Sequence, residues 1–463
     1  MIAKIFKKFS LTSGMILPVL SPLVLFSQQL NEKPIQNISF DFDDLAKNLN
    51  FHKFANTANR DIKIGVMLYN STKNQNQLLL ENLQKIFNYF VSSPKIITTN
   101  FSSEQSWVEG LEMLHNQNVE LILHLYPLNL DFLLKKIKIK NTTFDFSEIL
   151  NFYSNTDGVV HFFDADNPVG KSVFTQLSIL AKTDNKQRRK HSPLTITKTI
   201  DSQGSGLIAP HFVIPKLKYK IENQFRSAKI EYYPAIVSGA LFSQLLANYS
   251  SLQNSKTNNQ NIWAALSLNS LNSDNQNFSF NGMHAAEGFG YINYDKSLRF
   301  LSGLEPNSER ISQDYNESKT FSMFNMSKGD KLSALLFFAP KNYKKFFDNT
   351  SEIIKEKPTT GWQNIWNHLQ FWKPWFQNKS KVINQTKEEQ VLNNDFNIYL
   401  EVLKGSWQVL MVADSQLTNF DKINFQAFED GVYRLRVESK NFNSNLNYKY
   451  SVFWTIDKFN VDA

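Results

Sequence analysis

From Ile62 onward, short unbroken apolar runs alternate with stretches of helical spacing, and this alternation most narrows the folds open to the chain. A strand that is apolar at nearly every position has no face for water, so it belongs in a parallel sheet covered by helices on both faces. Ile62 to Leu68 is the first such run, followed by Lys95 to Thr99, Val119 to Leu125 and the segment beginning at Asp157. Between them, Leu78, Leu79, Leu83, Ile86 and Phe90 recur at helical spacing over Gln77 to Phe90, as do Trp107, Val108, Leu111 and Leu114 over Ser106 to Gln117. Further helices are expected over Phe144 to Tyr153 and Ala235 to Tyr249. The fold class is α/β.

Beyond about residue 305 the pattern changes to alternating short strands separated by Gly, Asn and Asp turns, which predicts a C-terminal β-sandwich of jelly-roll type. Strands are expected at Phe321 to Asp330, Lys331 to Phe338, Asn397 to Val402, Trp407 to Val412, Lys422 to Ala427, Val432 to Glu438 and Tyr448 to Thr455. An insertion at about 343–393 carries Trp362, Ile365, Trp366, Leu369 and Trp372 at helical spacing, with Trp375 just beyond Pro374. Such a stripe either packs on the protein's own sandwich or forms a partner surface, since tryptophan is favoured at interface hot spots.

The chain's 463 residues, 42% hydrophobic and 20% charged, supply core for two domains. Cysteine is absent, which excludes disulfide scaffolds, thiolate zinc sites, iron–sulfur clusters, cysteine nucleophiles and a lipoprotein anchor. The formal charge of +8 is modest for this length. The basic groups at Lys135 to Lys140 and Lys186 to Lys190 lack the interleaved aromatics of a stacking platform, so they read as solvated loops or edge strands and no nucleic acid partner is expected. Lys4, Lys7 and Lys8 precede an apolar stretch from Leu11 to Phe26, the layout of an export signal, retained as a membrane anchor if uncleaved. The expected division is a signal or anchor at 1–30, an extension at 31–60, the α/β domain at 61–305 and the sandwich at 306–463. The protein is expected outside the cell or on the outer face of its membrane, touching lipid only through the N-terminal segment.

Several segments occur in an order that resembles one family. Asp157-Gly158-Val159-Val160 runs toward Ala165-Asp166-Asn167, and Ser106-Trp107-Val108-Glu109-Gly110-Leu111 leads into Asn118-Val119-Glu120-Leu121-Ile122. Gly206-Leu207-Ile208-Ala209-Pro210 precedes Pro234 by 24 residues, counted proline to proline, and a helix follows Pro234. Ile262-Trp263-Ala264-Ala265-Leu266 and Gly288-Phe289-Gly290-Tyr291-Ile292-Asn293 close the region. Together they resemble the subtilases, the S8 serine peptidases, over about 61–305. The segments around Asn394 to Leu400 and Asp430 to Val437 resemble the β-sandwich that follows the catalytic domain in many secreted subtilases. The resemblance implies a subtilisin-like sheet and peptide-bond hydrolysis by an Asp–His–Ser triad aided by an oxyanion asparagine.

Matched residue by residue, the triad positions fall on Leu68, Asn74 and Ile230, and the oxyanion position falls on Asn167. No aspartate or histidine occurs between Ile62 and Leu114, and no serine between Ser227 and Ser238. Asn167 is either an oxyanion donor or an ordinary loop asparagine bonding its own backbone. Ser205 imitates a nucleophile motif, but the extended Phe212-Val213-Ile214-Pro215 follows it where a helix should begin. No His-Glu-x-x-His and no glycine-rich phosphate loop occurs, and His115 and His124 frame a helix–strand unit rather than one helical face, so no metal or cofactor is expected; the remaining histidines, His161, His211 and His284 among them, read as structural. The leading expectation is an exported pseudopeptidase that binds a protein without cutting it. The alternatives are an active S8 endopeptidase with an unconventional site, cleaving a host protein such as immunoglobulin, and a purely structural surface protein. The layout is similar to the immunoglobulin-cleaving subtilases of wall-less bacteria, which implies immunoglobulin, or an immunoglobulin-binding protein, as partner.

Overall fold

The computed structural model describes residues 39–52, 61–69, 73–126, 136–139, 142–145, 159–164, 194–200, 211–221, 224–227, 230–253, 259–272, 282–284, 287–315, 319–338, 396–414, 420–439 and 448–459. Seven strands form one parallel sheet: β1 (Ile62–Tyr69), β2 (Pro94–Phe101), β3 (Leu121–Leu125), β4 (Val160–Asp164), β5 (Leu194–Thr199), β6 (Phe212–Ile214) and β7 (Gly290–Tyr291), in the spatial order β7-β6-β5-β4-β3-β1-β2. Six helices accompany it: α1 (Phe42–Asn48), α2 (Lys73–Phe90), α3 (Glu104–Asn116), α4 (Tyr233–Gln253), α5 (Asn259–Asn269) and α6 (Tyr294–Leu301).

The pleat of β1 explains the two helical layers. Ile64, Val66 and Leu68 join Leu121, Leu123 and Leu125 of β3 in a core shared with α2 and α4. Gly65 and Met67 face the other way, toward Leu114 and Gly110 of α3. α4 comes so close to the sheet that a Cβ on Gly239 would stand 2.5 Å from Leu123 Cδ2, so any larger residue there would force the Leu123 side chain to move. α4 is apolar almost all round, as a helix buried on every side must be.

Eight further strands follow: β8 (Ser308–Tyr315), β9 (Lys319–Met326), β10 (Lys331–Phe338), β11 (Phe396–Lys404), β12 (Ser406–Ala413), β13 (Phe420–Gln426), β14 (Gly431–Ser439) and β15 (Tyr448–Asp457). They make two four-stranded antiparallel sheets, β8-β15-β10-β13 and β9-β14-β11-β12, whose inward residues share one buried cluster that includes Leu336, Leu400, Leu435 and Val452. This β-rich unit is fused to the α/β unit. Leu335, Phe337, Phe420 and Phe453 belong to the α/β core, Trp263 of α5 lies 5.3 Å from Phe420, and Lys422 Nζ donates to the Ser267 carbonyl at 2.8 Å.

One expectation needs correction. Phe144 does not begin a helix: it lies in Thr142–Asp145, a strand paired with Lys136–Ile139 in a small hairpin, because β-branched Ile137, Ile139, Thr142 and Thr143 favour extended backbone. The remainder of that expected helix lies outside the described residues. So do the expected N-terminal signal, the cluster at Lys186 to Lys190, Ser205 and the expected insertion with Trp362, Trp366, Trp372 and Trp375. Among the described residues, no helix is long and apolar enough to cross a membrane.

Candidate functional site

In an open parallel sheet, chemistry gathers at the carboxyl ends of the strands, where loops and helix starts converge. Leu68 lies at that end of β1, almost wholly buried. The chain returns at once into α2, whose first turn is tied back to the strand: Asn76 Nδ2 donates to the Tyr69 carbonyl at 3.1 Å. Asn74 belongs to the same turn. Ile230 sits in the turn that opens α4, partly buried against the same core as Leu68. Tyr232, in that turn, takes a left-handed backbone (φ 57°), an uncommon conformation for a bulky side chain and costly by about 1 kcal/mol. Asn167 lies outside the described residues.

Aromatic rings occupy this edge. Tyr69 meets Phe101 edge-on with ring centres 5.5 Å apart, and Phe101 meets Tyr126 edge-on at 4.8 Å. Tyr126 follows β3 directly and is buried. Burial raises its phenol well above the ordinary value; the Trp107 hydrogen bond works against this, and the nearby Tyr232 phenol adds to it.

From Tyr126 a buried polar chain runs along the α3 face of the sheet. Trp107 Nε1 donates to Tyr126 Oη at 2.9 Å, Tyr126 Oη bonds His124 Nδ1 at 2.8 Å, and His124 Nε2 bonds His161 Nδ1 at 2.8 Å. His124 also stacks on Phe163 with ring centres 4.1 Å apart. Burial holds the His124 imidazole well below its usual range, with His161 adding to the shift. Burial, with His115 close by, pushes His161 down to about 3. Both rings are therefore neutral at pH 7, and a shared hydrogen bond between two neutral imidazoles fixes complementary tautomers. Among the described residues, His161 Nε2 has no hydrogen-bond partner.

The sequence placed His124 in a helix–strand unit and His161 among ordinary structural histidines, with no sign that they meet. The two lie 37 residues apart on neighbouring strands, and only the β3–β4 register, with Ile122 opposite His161 and His124 opposite Phe163, brings them together. Asp164 stands at the carboxyl end of β4, one strand further along the edge. Among the described residues, no cluster of three or more acidic, histidine or cysteine side chains could hold a metal ion.

The fold and edge thus define an α/β unit with a seven-stranded parallel sheet, joined to a β-rich unit. No protein-family model matches the sequence, and no curated protein matches it. Among solved structures the chain is similar to a lanthipeptide protease, at 11% identity and a TM-score of 0.37, covering 52% of this chain and 87% of that one. It is similar also to tripeptidyl peptidase 2, at 10% identity and a TM-score of 0.28, covering 80% of this chain and 38% of the other. A third similar structure is the Yersinia pseudotuberculosis-derived mitogen, at 11% identity and a TM-score of 0.17. At these scores none of the three defines the fold.

Proposed function

We propose that this protein is an exported subtilisin-like peptidase homologue that binds a protein ligand without cleaving it, its S8-like domain spanning 61–305 and a β-sandwich domain 306–463. The observation that carries this reading is the apolar filling of the edge where a triad would stand: Leu68 buried at the strand end, Ile230 packed on the core, and Tyr69, Phe101 and Tyr126 in ring contact beside them. A leucine cannot orient an imidazole, and an isoleucine has no nucleophilic atom. Loss of serine or histidine alone lowers the turnover of such a site by roughly a millionfold. Binding needs no triad, because an extended ligand segment can add to a sheet edge through backbone hydrogen bonds.

A fluorophosphonate probe separates this reading from that of an active S8 endopeptidase. The purified protein is expected to remain unlabelled and to capture immunoglobulin, the first ligand to try, on a sensor surface with no fragments released. Labelling at a single serine, or defined cleavage of the captured protein, would overturn the reading in favour of the enzyme.

A further inference from the structure

The buried chain from Trp107 to His161 can hold its protons in two orders. Its head is the same in both: an indole N–H only donates, so Trp107 gives to Tyr126 Oη at 2.9 Å. In the first order Tyr126 sends its own O–H to His124 Nδ1 at 2.8 Å, His124 is protonated at Nε2, and that N–H gives to His161 Nδ1 at 2.8 Å. His161, neutral and accepting at Nδ1, then carries its proton on Nε2. In the second order both rings are protonated at Nδ1, the bonds beyond Tyr126 are reversed, and Tyr126 Oη accepts from Trp107 and His124 together.

Elementary chemistry favours the first. A phenol is a better donor than acceptor, and the bare nitrogen of a neutral imidazole is a strong acceptor, so O–H···N is the better use of the Tyr126–His124 contact. The first order also runs head to tail through all three bonds, and bonds aligned in one direction polarise and strengthen one another. In the second, two N–H groups converge on one phenol oxygen and the phenol proton is turned out of the chain. His124 and His161 are 1% and 0% exposed, so bulk water cannot redirect either ring. Both nitrogens of His124 are engaged, whereas among the described residues nothing accepts from His161 Nε2.

We propose that this relay is proton-ordered from the sheet edge inward: Tyr126 holds His124 and His161 as Nε2–H tautomers, and His161 Nε2 presents a hydrogen to an oxygen acceptor rather than a lone pair to a metal ion. Metal ligation needs the bare nitrogen, which this order places only at Nδ1, where the neighbouring ring already uses it. The acceptor is an uncharged oxygen, that of a water molecule or of a chain carbonyl, because a buried N–H left without one is costly. Tyr126 is a positioning residue that acts on His161 through His124. Its ring meets Phe101 at 4.8 Å, and Phe101 meets the half-exposed Tyr69 at 5.5 Å, so the proton order of the interior is set at the edge where the candidate site lies.

Long-range proton–nitrogen NMR on the full chain with isotope-labelled histidine tests this, with His161→Phe identifying the His161 signals by their loss. At neutral pH both rings are expected as the Nε2–H tautomer alone. A cross-peak from the His161 Nε2 proton to water identifies water as the acceptor, and its absence a carbonyl. Trp107→Phe leaves the O–H···N bond in place and is expected to keep both tautomers. Tyr126→Phe removes the proton that fixes the order and is expected to turn both rings into tautomer mixtures, with an unchanged circular dichroism spectrum. Should either variant fail to fold, the wild-type spectrum decides by itself. Protonation of either ring at Nδ1 in the wild-type protein, a His161 signal that Tyr126→Phe leaves untouched, or a paramagnetic shift of His161 on adding cobalt(II) would overturn the proposal.

Discussion

Where the α/β unit buries polar side chains it favours neutral ones, with His124, His161 and His211 among them, whereas the β-rich unit buries carboxylates held by cations and backbone donors. Asp330 accepts from Lys458 Nζ and the Ser327 and Phe459 amides, and Glu401 from Arg434 and Arg436. Burial alone would raise both carboxyls, but these partners more than offset it and hold both below their usual range. A neutral imidazole without charged partners stays buried only while it remains unprotonated. A carboxylate tied to cations has the opposite requirement. The two units therefore differ in the pH range over which each loses stability.

Acid gives the largest expected effect. The histidines are neutral in the native state and take up protons freely once unfolded, so their contribution is complete above about pH 6.5 and is lost as pH falls from there toward about 3. Each fully buried histidine costs about 2 kcal/mol between pH 6.5 and 5. Amide exchange at pH 5 is expected to accelerate in β3, β4 and β6 while β11 and β14 stay protected, since Asp330 and Glu401 lose their contribution only below about pH 4. Equal acceleration in both units would dissolve the contrast.

Glu401→Ala is next, at about 3 kcal/mol, because it removes the carboxylate that Arg434 pairs with and one of the two that hold Arg436, which keeps Glu438. Its effect should be confined to the β-rich unit and read as faster exchange in β11 and β14 at neutral pH. The smallest effect is at the junction. Burial, with Lys296 adding to it, pushes the Lys422 amine down to about 7, so the penalty of burying the ammonium is complete at and below that pH and is relieved as pH rises toward 10.5. Lys422→Met is expected to raise stability at pH 7 by about 1 kcal/mol and to flatten the alkaline rise, as measured by urea unfolding at several pH values.

β1 was legible in the sequence because Ile64 to Leu68 is an unbroken apolar run, and α4 because apolar residues dominate Ala235 to Tyr249. β5 was not, since Leu-Thr-Ile-Thr-Lys-Thr reads as a surface alternation. Its Thr195 and Thr197 are buried nonetheless, with Trp263 Nε1 donating to Thr195 Oγ1 and Thr197 Oγ1 donating to the Phe163 carbonyl. β8, Ser-Glu-Arg-Ile-Ser-Gln-Asp-Tyr, is too polar to announce itself and is held by an eight-pair ladder to β15. At the candidate site Leu68 and Ile230 were singled out by the resemblance to the subtilases, whereas the ring contacts of Tyr126 and the His124–His161 bond depend on tertiary register, which local pattern does not encode.

The ladder between β8 and β15 also sets an order in time. These are the first and last described strands of the β-rich unit, with Tyr315 opposite Tyr448 and Ser308 opposite Thr455, so the sheet that carries Phe337, Phe420 and Phe453 closes only when Tyr448–Asp457 has been made. Until then β10 lacks its central neighbour, and the face of α5 bearing Trp263 waits uncovered. During synthesis the α/β unit must therefore hold a large apolar surface in reserve until a strand made about 140 residues after Ser308 covers it. Its survival through that interval rests on the speed with which Tyr448–Asp457 finds its place between β8 and β10.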